Sequence, residues 1–429
     1  MKDLRWMAGA GKARWTPAEM MWMAGYAART EPARGVLSEL WVTAVALKDA
    51  AGEIFVLVGA DVIAVPIAVG DVVADRVRKK FPGMKRGNFC FNASHTHYGP
   101  EIRMDKVPFF RIPEEYARKI EGAAERLAGA MVEAIVMALE GMAEARLFAR
   151  KGEVGFARNR RAQGEGITDH EVPVLEVRGE DGKVRAVVFG YACHNTCMDP
   201  QDRMYSSDWA GEARRLIEEK WPGAVGVFVT GCGADQNPDP RGMQELSLKY
   251  GAELAAAIGR VMDGEGIELG AKLRVANGEA RLEMVPVTSE WIEEGLASDD
   301  RGRRTKAEYL KKRLDRGEVL ETSYPGPMQV VALGEELLMV MMSGETVVDW
   351  AHKFKGEFGD GAKRVWVAGY CNDMYGYVPT KRVQEEGGYE GGRATLWSWL
   401  PSAWTGSVEE RVTGVVRDLV KQVSSNSSI

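Results

Sequence analysis

The chain has 429 residues, of which 45% are hydrophobic and 28% charged, and its formal net charge is −6. That balance excludes a disordered or collagen-like chain and supplies ample material for a large core. Basic residues are interleaved with acidic ones, as in Arg301-Gly302-Arg303-Arg304-Thr305-Lys306-Ala307-Glu308 and Lys311-Lys312-Arg313-Leu314-Asp315. No unopposed basic stripe therefore argues for a nucleic-acid partner, and these runs read as solvated helix faces.

The first nine residues lack the continuous apolar core of a signal peptide, and no apolar run approaches the ~20 residues of a membrane span. The expectation is a cytoplasmic protein, or a secreted one if a leader has been removed, with no stable insertion into a membrane. Five cysteines, Cys90, Cys193, Cys197, Cys232 and Cys371, show no zinc-finger spacing, so reduced, mostly buried thiols are expected.

In chain order, β-branched or apolar runs with Gly, Asp or Asn close to their ends predict strands at 40–47, 54–61, 184–191, 225–230, 328–333, 337–341 and 364–368. A further apolar stretch ends at Phe89-Cys90-Phe91. Helical patterns occupy 114–140, 209–220, 243–262 and 290–314. Strands alternating with long amphipathic helices argue for an α/β fold, a mixed β-sheet core flanked by helices, with chemistry carried on loops at strand ends. No Gly/Pro/Ser linker divides the chain. A single catalytic domain over 1–423 is expected, with a helical elaboration near 288–325 and a flexible Ser-rich tail at 424–429.

Two of the five histidines lie in Asn92-Ala93-Ser94-His95-Thr96-His97-Tyr98-Gly99-Pro100. If the preceding stretch is a strand, alternation aims His95 and His97 from one face at its end, where a metal is commonly held. A bare His-x-His also arises when one imidazole is hydrogen-bonded at the surface and the other packs. Other strand ends carry Asp61, Tyr191-Ala192-Cys193-His194-Asn195, Thr230-Gly231-Cys232-Gly233-Ala234-Asp235-Gln236-Asn237-Pro238, Ser343-Gly344-Glu345 and Gly369-Tyr370-Cys371-Asn372-Asp373-Met374-Tyr375-Gly376-Tyr377. Polar residues stranded at the ends of buried strands tend to converge on one cleft, and a nitrogen and oxygen ligand set can be drawn from these.

The ordered series becomes specific as a whole. His95-Thr96-His97-Tyr98-Gly99-Pro100, Asn159-Arg160, Ala192-Cys193-His194, Ser206-Ser207-Asp208-Trp209-Ala210-Gly211-Glu212-Ala213, Gly233-Ala234-Asp235, Gly344-Glu345, the stretch from Asn372 to Tyr377-Val378, and Tyr389-Glu390-Gly391 resemble the catalytic domain of neutral/alkaline non-lysosomal ceramidases over roughly residues 8–395. The resemblance implies one Zn²⁺ held by His95, His194, Glu345 and Tyr377, a donor set that suits zinc. It further implies that His97 handles protons or the oxyanion, and that Arg160 and Tyr389 line the pocket and hydrogen-bond the scissile group. Tyr375 competes with Tyr377; the spacing to Tyr389 favours Tyr377. One departure stands out: the family's serine turn here reads Gly233-Ala234-Asp235-Gln236-Asn237-Pro238, so Gln236 or Asn237 takes the serine position. A carboxamide cannot act as a hydroxyl nucleophile.

Simpler roles exist for several of these residues. Glu345 could serve the dipole of a helix starting at Thr346, and Arg160 lies in the basic turn Arg158-Asn159-Arg160-Arg161, which suits either solvent or a substrate carboxylate. Cys232 reads as a small buried residue rather than a nucleophile. His170 and His352 read as surface residues, and Asp208 as an anchor for its loop and the following helix.

The expected function is zinc-dependent hydrolysis of an amide or ester bond in a polar small molecule, sugar- or carboxylate-containing, by metal-activated water. Arginine richness and the lost serine keep a second expectation open, a zinc-dependent lyase or isomerase acting on a uronate-like sugar. A third is a non-catalytic binding protein of the same fold. A homo-oligomer is compatible with all three.

Overall fold

Two β-sheets are stacked face to face in this computed structural model, which describes residues 5–161, 166–361 and 363–425, and each sheet carries helices on its outer face. The main strands of the larger sheet are β1 (Trp6–Arg14), β2 (Trp41–Lys48), β3 (Ile54–Ala60), β4 (Phe89–Ala93), β5 (Ala143–Glu153), β6 (Glu171–Gly179), β7 (Val184–Tyr191) and β8 (Val225–Thr230). They lie in the order β8-β7-β6-β5-β1-β2-β3-β4. The end pairs β7/β8 and β3/β4 are parallel and the remaining pairs antiparallel, which confirms a mixed sheet. The smaller sheet runs β9 (Leu273–Glu283), β10 (Ser323–Leu333), β11 (Leu337–Met342) and β12 (Arg364–Ala368), with only β11/β12 parallel.

Strand periodicity explains the layering. In β2, Val42, Ala44 and Ala46 face the helices while Val45 and Leu47 face the second sheet; in β11, Leu338, Val340 and Met342 face outward while Leu337, Met339 and Met341 face inward. Strands apolar on both faces must be covered on both. The larger sheet is covered by α1 (Ile67–Lys80), α2 (Glu114–Glu140), α3 (Asp208–Lys220) and α4 (Gln244–Met262). In α2 the stripe Ile120, Ala123, Leu127, Met131, Ala134 and Ala138 is buried at three- and four-residue spacing, as an amphipathic helix requires.

Sequence 290–314 forms two helices rather than one, α5 (Ser289–Leu296) and α6 (Arg301–Asp315). Asp300 caps the second by accepting from the Arg303 amide at 3.0 Å, so the Ser298-Asp299-Asp300 turn starts a new helix instead of continuing the old. The smaller sheet is covered by α7 (Asp349–Phe358) and α8 (Val408–Ser425). The last helix includes Ser424 and Ser425, so the expected flexible tail does not begin at 424; residues 426–429 lie outside the described residues.

Curling of the larger sheet positions the site. Its two edge strands meet, the Thr230 amide donating to Asn92 Oδ1 at 2.8 Å and the Thr230 hydroxyl to the Ala93 carbonyl at 2.7 Å. Bridges from Asn92 to Cys371 and from Gly231 to Ala368 then join both ends to the smaller sheet. The C-terminal ends of β4, β8 and β12 are thereby brought to one place, with the ends of β7 and β11 beside their parallel partners.

Candidate metal centre

The loop after β4 supplies His95 and His97, but strand alternation is not what aims them. β4 ends at Ala93, and His95 has a left-handed backbone, φ 60°. Amides of Ser94 and His95 are held by the carbonyls of Ala60 and Val62 at 2.8 and 2.9 Å, which fixes this turn. The loop after β7 runs alongside, through the Thr96/Asn195 bridge and the His97 amide bonded to Asn195 O at 3.3 Å, and delivers His194. Glu345 follows β11 and pairs in register with Tyr377, the two lying on short parallel segments.

Three imidazoles converge here: the nitrogens of His95, His97 and His194 lie within 4.8 Å of one another. His95 Nε2 is 3.2 Å from His97 Nε2 and 3.3 Å from Glu345 Oε2, and His194 Nε2 is 3.7 Å from the same oxygen. His95 Nδ1 bonds the Ile63 carbonyl at 2.7 Å, and His194 Nδ1 bonds the Gly233 carbonyl at 2.8 Å. A carbonyl only accepts, so each Nδ1 is the protonated donor and each Nε2 is turned to the centre. Burial lowers the His194 pKa to about 4, so at neutral pH its Nε2 presents a lone pair toward the carboxylate. Glu345 Oε2 finds no hydrogen-bond donor among the described residues.

Acceptors facing acceptors in a buried space are unfavourable unless a cation sits between them. The donor set, imidazole nitrogen with carboxylate oxygen, is chemically suited to a divalent metal. The cluster could therefore hold a metal ion.

Around the centre, the Arg160 guanidinium donates to Tyr377 Oη at 3.0 Å and to Glu390 at 2.7 Å, while Arg161 binds the other Glu390 oxygen at 2.9 Å. Tyr389 stands edge-on to Tyr377 with ring centres 5.3 Å apart. Tyr375 turns to Ser343, 3.0 Å between hydroxyl oxygens. Gln236 does not join the group: its carboxamide donates to the Ala192 carbonyl and accepts from the Asp169 amide at 3.1 Å. Asn237 is also buried, and neither residue lines the cleft over the centre.

His170 and His352 bond the carbonyls of Ala157 and Thr168, outside the centre. Asp208 holds the amides of Cys197 and Trp209 at 2.9 and 2.7 Å, an anchoring geometry. All five cysteines are free and buried. Burial pushes the Cys232 thiol up to about 12, which removes it as a nucleophile.

Sequence reasoning did not single out Tyr370 or Gly25. Tyr370 packs its ring 4.6 Å from His95. Gly25, at φ +99°, lies so near His97 that a Cβ there would be 2.5 Å from Nδ1. The cleft that opens over the centre has a volume of about 160 Å³ and is walled in part by Arg103, Lys106, Glu390, Tyr389, Trp397 and Trp404.

Fold and site together define an α/β protein of ceramidase-like architecture with a buried imidazole–carboxylate cluster. A family model described as "Neutral/alkaline non-lysosomal ceramidase, N-terminal" matches residues 6–236, and the chain belongs to that family. Neutral ceramidase of Drosophila pseudoobscura pseudoobscura is 25% identical over 287 residues, 60% of this chain; the chain spans only 39% of that relative's length. The crystal structure of neutral ceramidase from Pseudomonas aeruginosa superposes with a TM-score of 0.79 at 18% identity, covering 100% of this chain and 76% of that one. A ceramidase complexed with C2 gives 0.78 at 19% identity, covering 99% of this chain and 76% of its own. Among the described residues no helix is long and apolar enough to cross a membrane.

Proposed function

We propose that this chain is a zinc-dependent hydrolase that cleaves an amide or ester bond in a small polar molecule. The observation that carries this reading is the inward-facing set of His95 Nε2, His194 Nε2 and Glu345 Oε2, with distances of 3.3 and 3.7 Å to the carboxylate oxygen. Tyr377, paired with Glu345 across the short parallel segments, would complete the set. When bound, zinc supplies Lewis acidity that lowers the pKa of water from ~15.7 toward ~7.

The remaining work falls to side chains of the cleft. His97 lines the cleft with its Nε2 3.2 Å from His95 Nε2, which places it to take a proton and return it to the leaving group. Arg160 and Tyr389 steady the developing oxyanion, Arg160 being held in place by Tyr377 and Glu390. With Gln236 spent on backbone groups, no residue of that turn replaces a serine nucleophile, which favours attack by water. Charged walls from Arg103, Lys106 and Glu390 beside Trp397 and Tyr389 suit a polar, sugar-like group laid on an aromatic face. Pairing of Arg160 and Arg161 with Glu390 leaves less free positive charge for a uronate carboxylate, so hydrolysis is preferred to the lyase or isomerase alternative.

The test uses chromogenic acyl esters and anilides together with N-acylated amino sugars, followed by product analysis. Turnover should vanish on chelation, return with zinc, and be lost in the combined variant His95→Ala, His194→Ala. Turnover that survives in that variant refutes the proposal.

A further inference from the structure

The turn Gly233 to Asn237 offers no hydroxyl to the centre, yet one phenol from a different loop is already there. Tyr370 follows β12, is 1% exposed, and its hydroxyl has no hydrogen-bond partner among the described residues. A buried hydroxyl without a partner is disfavoured, and a phenol usually finds one when buried. Its backbone is strained as well: φ is 59°, a left-handed conformation that bulky residues rarely adopt. Two backbone bonds hold that conformation, from the Tyr370 amide to Gly344 O at 2.9 Å and from the Ala93 amide to Tyr370 O at 3.3 Å. The fold thus maintains two unfavourable features at a single residue. Features of this kind concentrate at functional sites.

The position of the ring says which site. Its centre lies 4.6 Å from that of His95 and stands edge-on to His194 at 6.4 Å. Glu345 and Arg160 are the charged groups that act most strongly on its hydroxyl, followed by Asp235 of the turn that has no serine. The ring therefore packs directly against the imidazole cluster.

We propose that Tyr370 is a catalytic residue that donates a hydrogen bond from its hydroxyl to the scissile carbonyl oxygen as charge develops there. This rests on the hydrolytic reading of the same site. A donor whose only partner is the reacting oxygen is stabilised in the transition state and unsatisfied in the resting protein, the differential that accelerates a reaction. It also accounts for the buried carboxamide of Gln236: the turn need not present a hydroxyl if another loop does.

The test is Tyr370→Phe, which keeps the ring and removes one oxygen. With p-nitrophenyl acetate and p-nitroacetanilide as probes, kcat should fall by about 10²–10³-fold. Metal content by elemental analysis should equal that of the wild type, and the melting temperature should be equal or higher, since an unpaired polar atom has been removed. Retained kcat overturns the proposal, and so does loss of metal together with activity, which would make Tyr370 a metal ligand instead. If the wild type turns over neither probe, the hydrolytic reading has failed separately, and Tyr370 is judged by acetohydroxamate binding to the metal-loaded protein. At least tenfold weaker binding by Tyr370→Phe supports the donor role, and unchanged affinity overturns it.

Discussion

In the metal-free protein, His194 should make stability fall on acidification by an amount that can be worked from its surroundings. Burial lowers its pKa from 6.5 to about 4, and the residue is 2% exposed, so solvent does little to screen the effect. The unfolded chain binds this proton more readily than the folded one. The stabilising contribution is therefore fully present above pH ~6.5 and is lost as pH falls toward and through ~4. The total is about 3 kcal/mol, of which about 2 kcal/mol is lost between pH 7 and pH 5. Urea unfolding in the presence of a chelator, at those two pH values, measures it. His194→Gln does not titrate while every other group remains, so the wild type should lose about 2 kcal/mol more than the variant over this interval. Equal losses would refute the argument that the imidazole is buried and neutral.

Three further outcomes are expected. Asp61 and Arg214 form a buried pair with contacts of 3.0 and 2.7 Å; Asp61→Ala should cost about 3–5 kcal/mol in chemical denaturation because it leaves the guanidinium unpaired. Gln236→Leu should destabilise by about 1–3 kcal/mol through the orphaned Asp169 amide and Ala192 carbonyl, while kcat of the folded variant stays at the wild-type value, which steady-state assay checks. Gly25→Ala should displace His97 and strain a φ of +99°, lowering turnover with metal content unchanged by elemental analysis.

Strands buried on both faces were the most legible part of the fold. Val184–Tyr191, Val225–Thr230 and Arg364–Ala368 announce themselves as apolar runs because both their faces meet a covering layer. Trp6–Arg14 was not legible, because Gly9 and Gly11 replace the bulky residues that mark a strand. They do so to admit α2: a Cβ at either would collide with the carbonyls of Ala138 or Ala134. Ala143–Glu153 was hidden by its charges, two of which are neutralised only in the fold, Arg146 by Glu268 and Arg150 by Glu176. The partners lie 122 and 26 residues away, beyond the reach of a local pattern.

The centre shows the same division. His95, His194 and Glu345 lie after strands and are the ligands that the family resemblance implies, and the structure brings them together. A left-handed turn at His95, not strand alternation, joins His95 and His97. Gln236 was misplaced because a motif position fixes no side-chain direction, and its carboxamide turns to the backbone. Tyr370 lies in one of the strand-end stretches, but nothing local distinguishes it there, because its importance lies in a backbone angle and an absent partner.

The most direct measurement is anomalous difference density from crystals of protein purified without added metal, collected on both sides of the zinc edge. A single peak between His95 Nε2, His194 Nε2 and the Glu345 carboxylate, present above the edge and absent below it, is the predicted result. An empty centre with its imidazoles hydrogen-bonded to one another would contradict it.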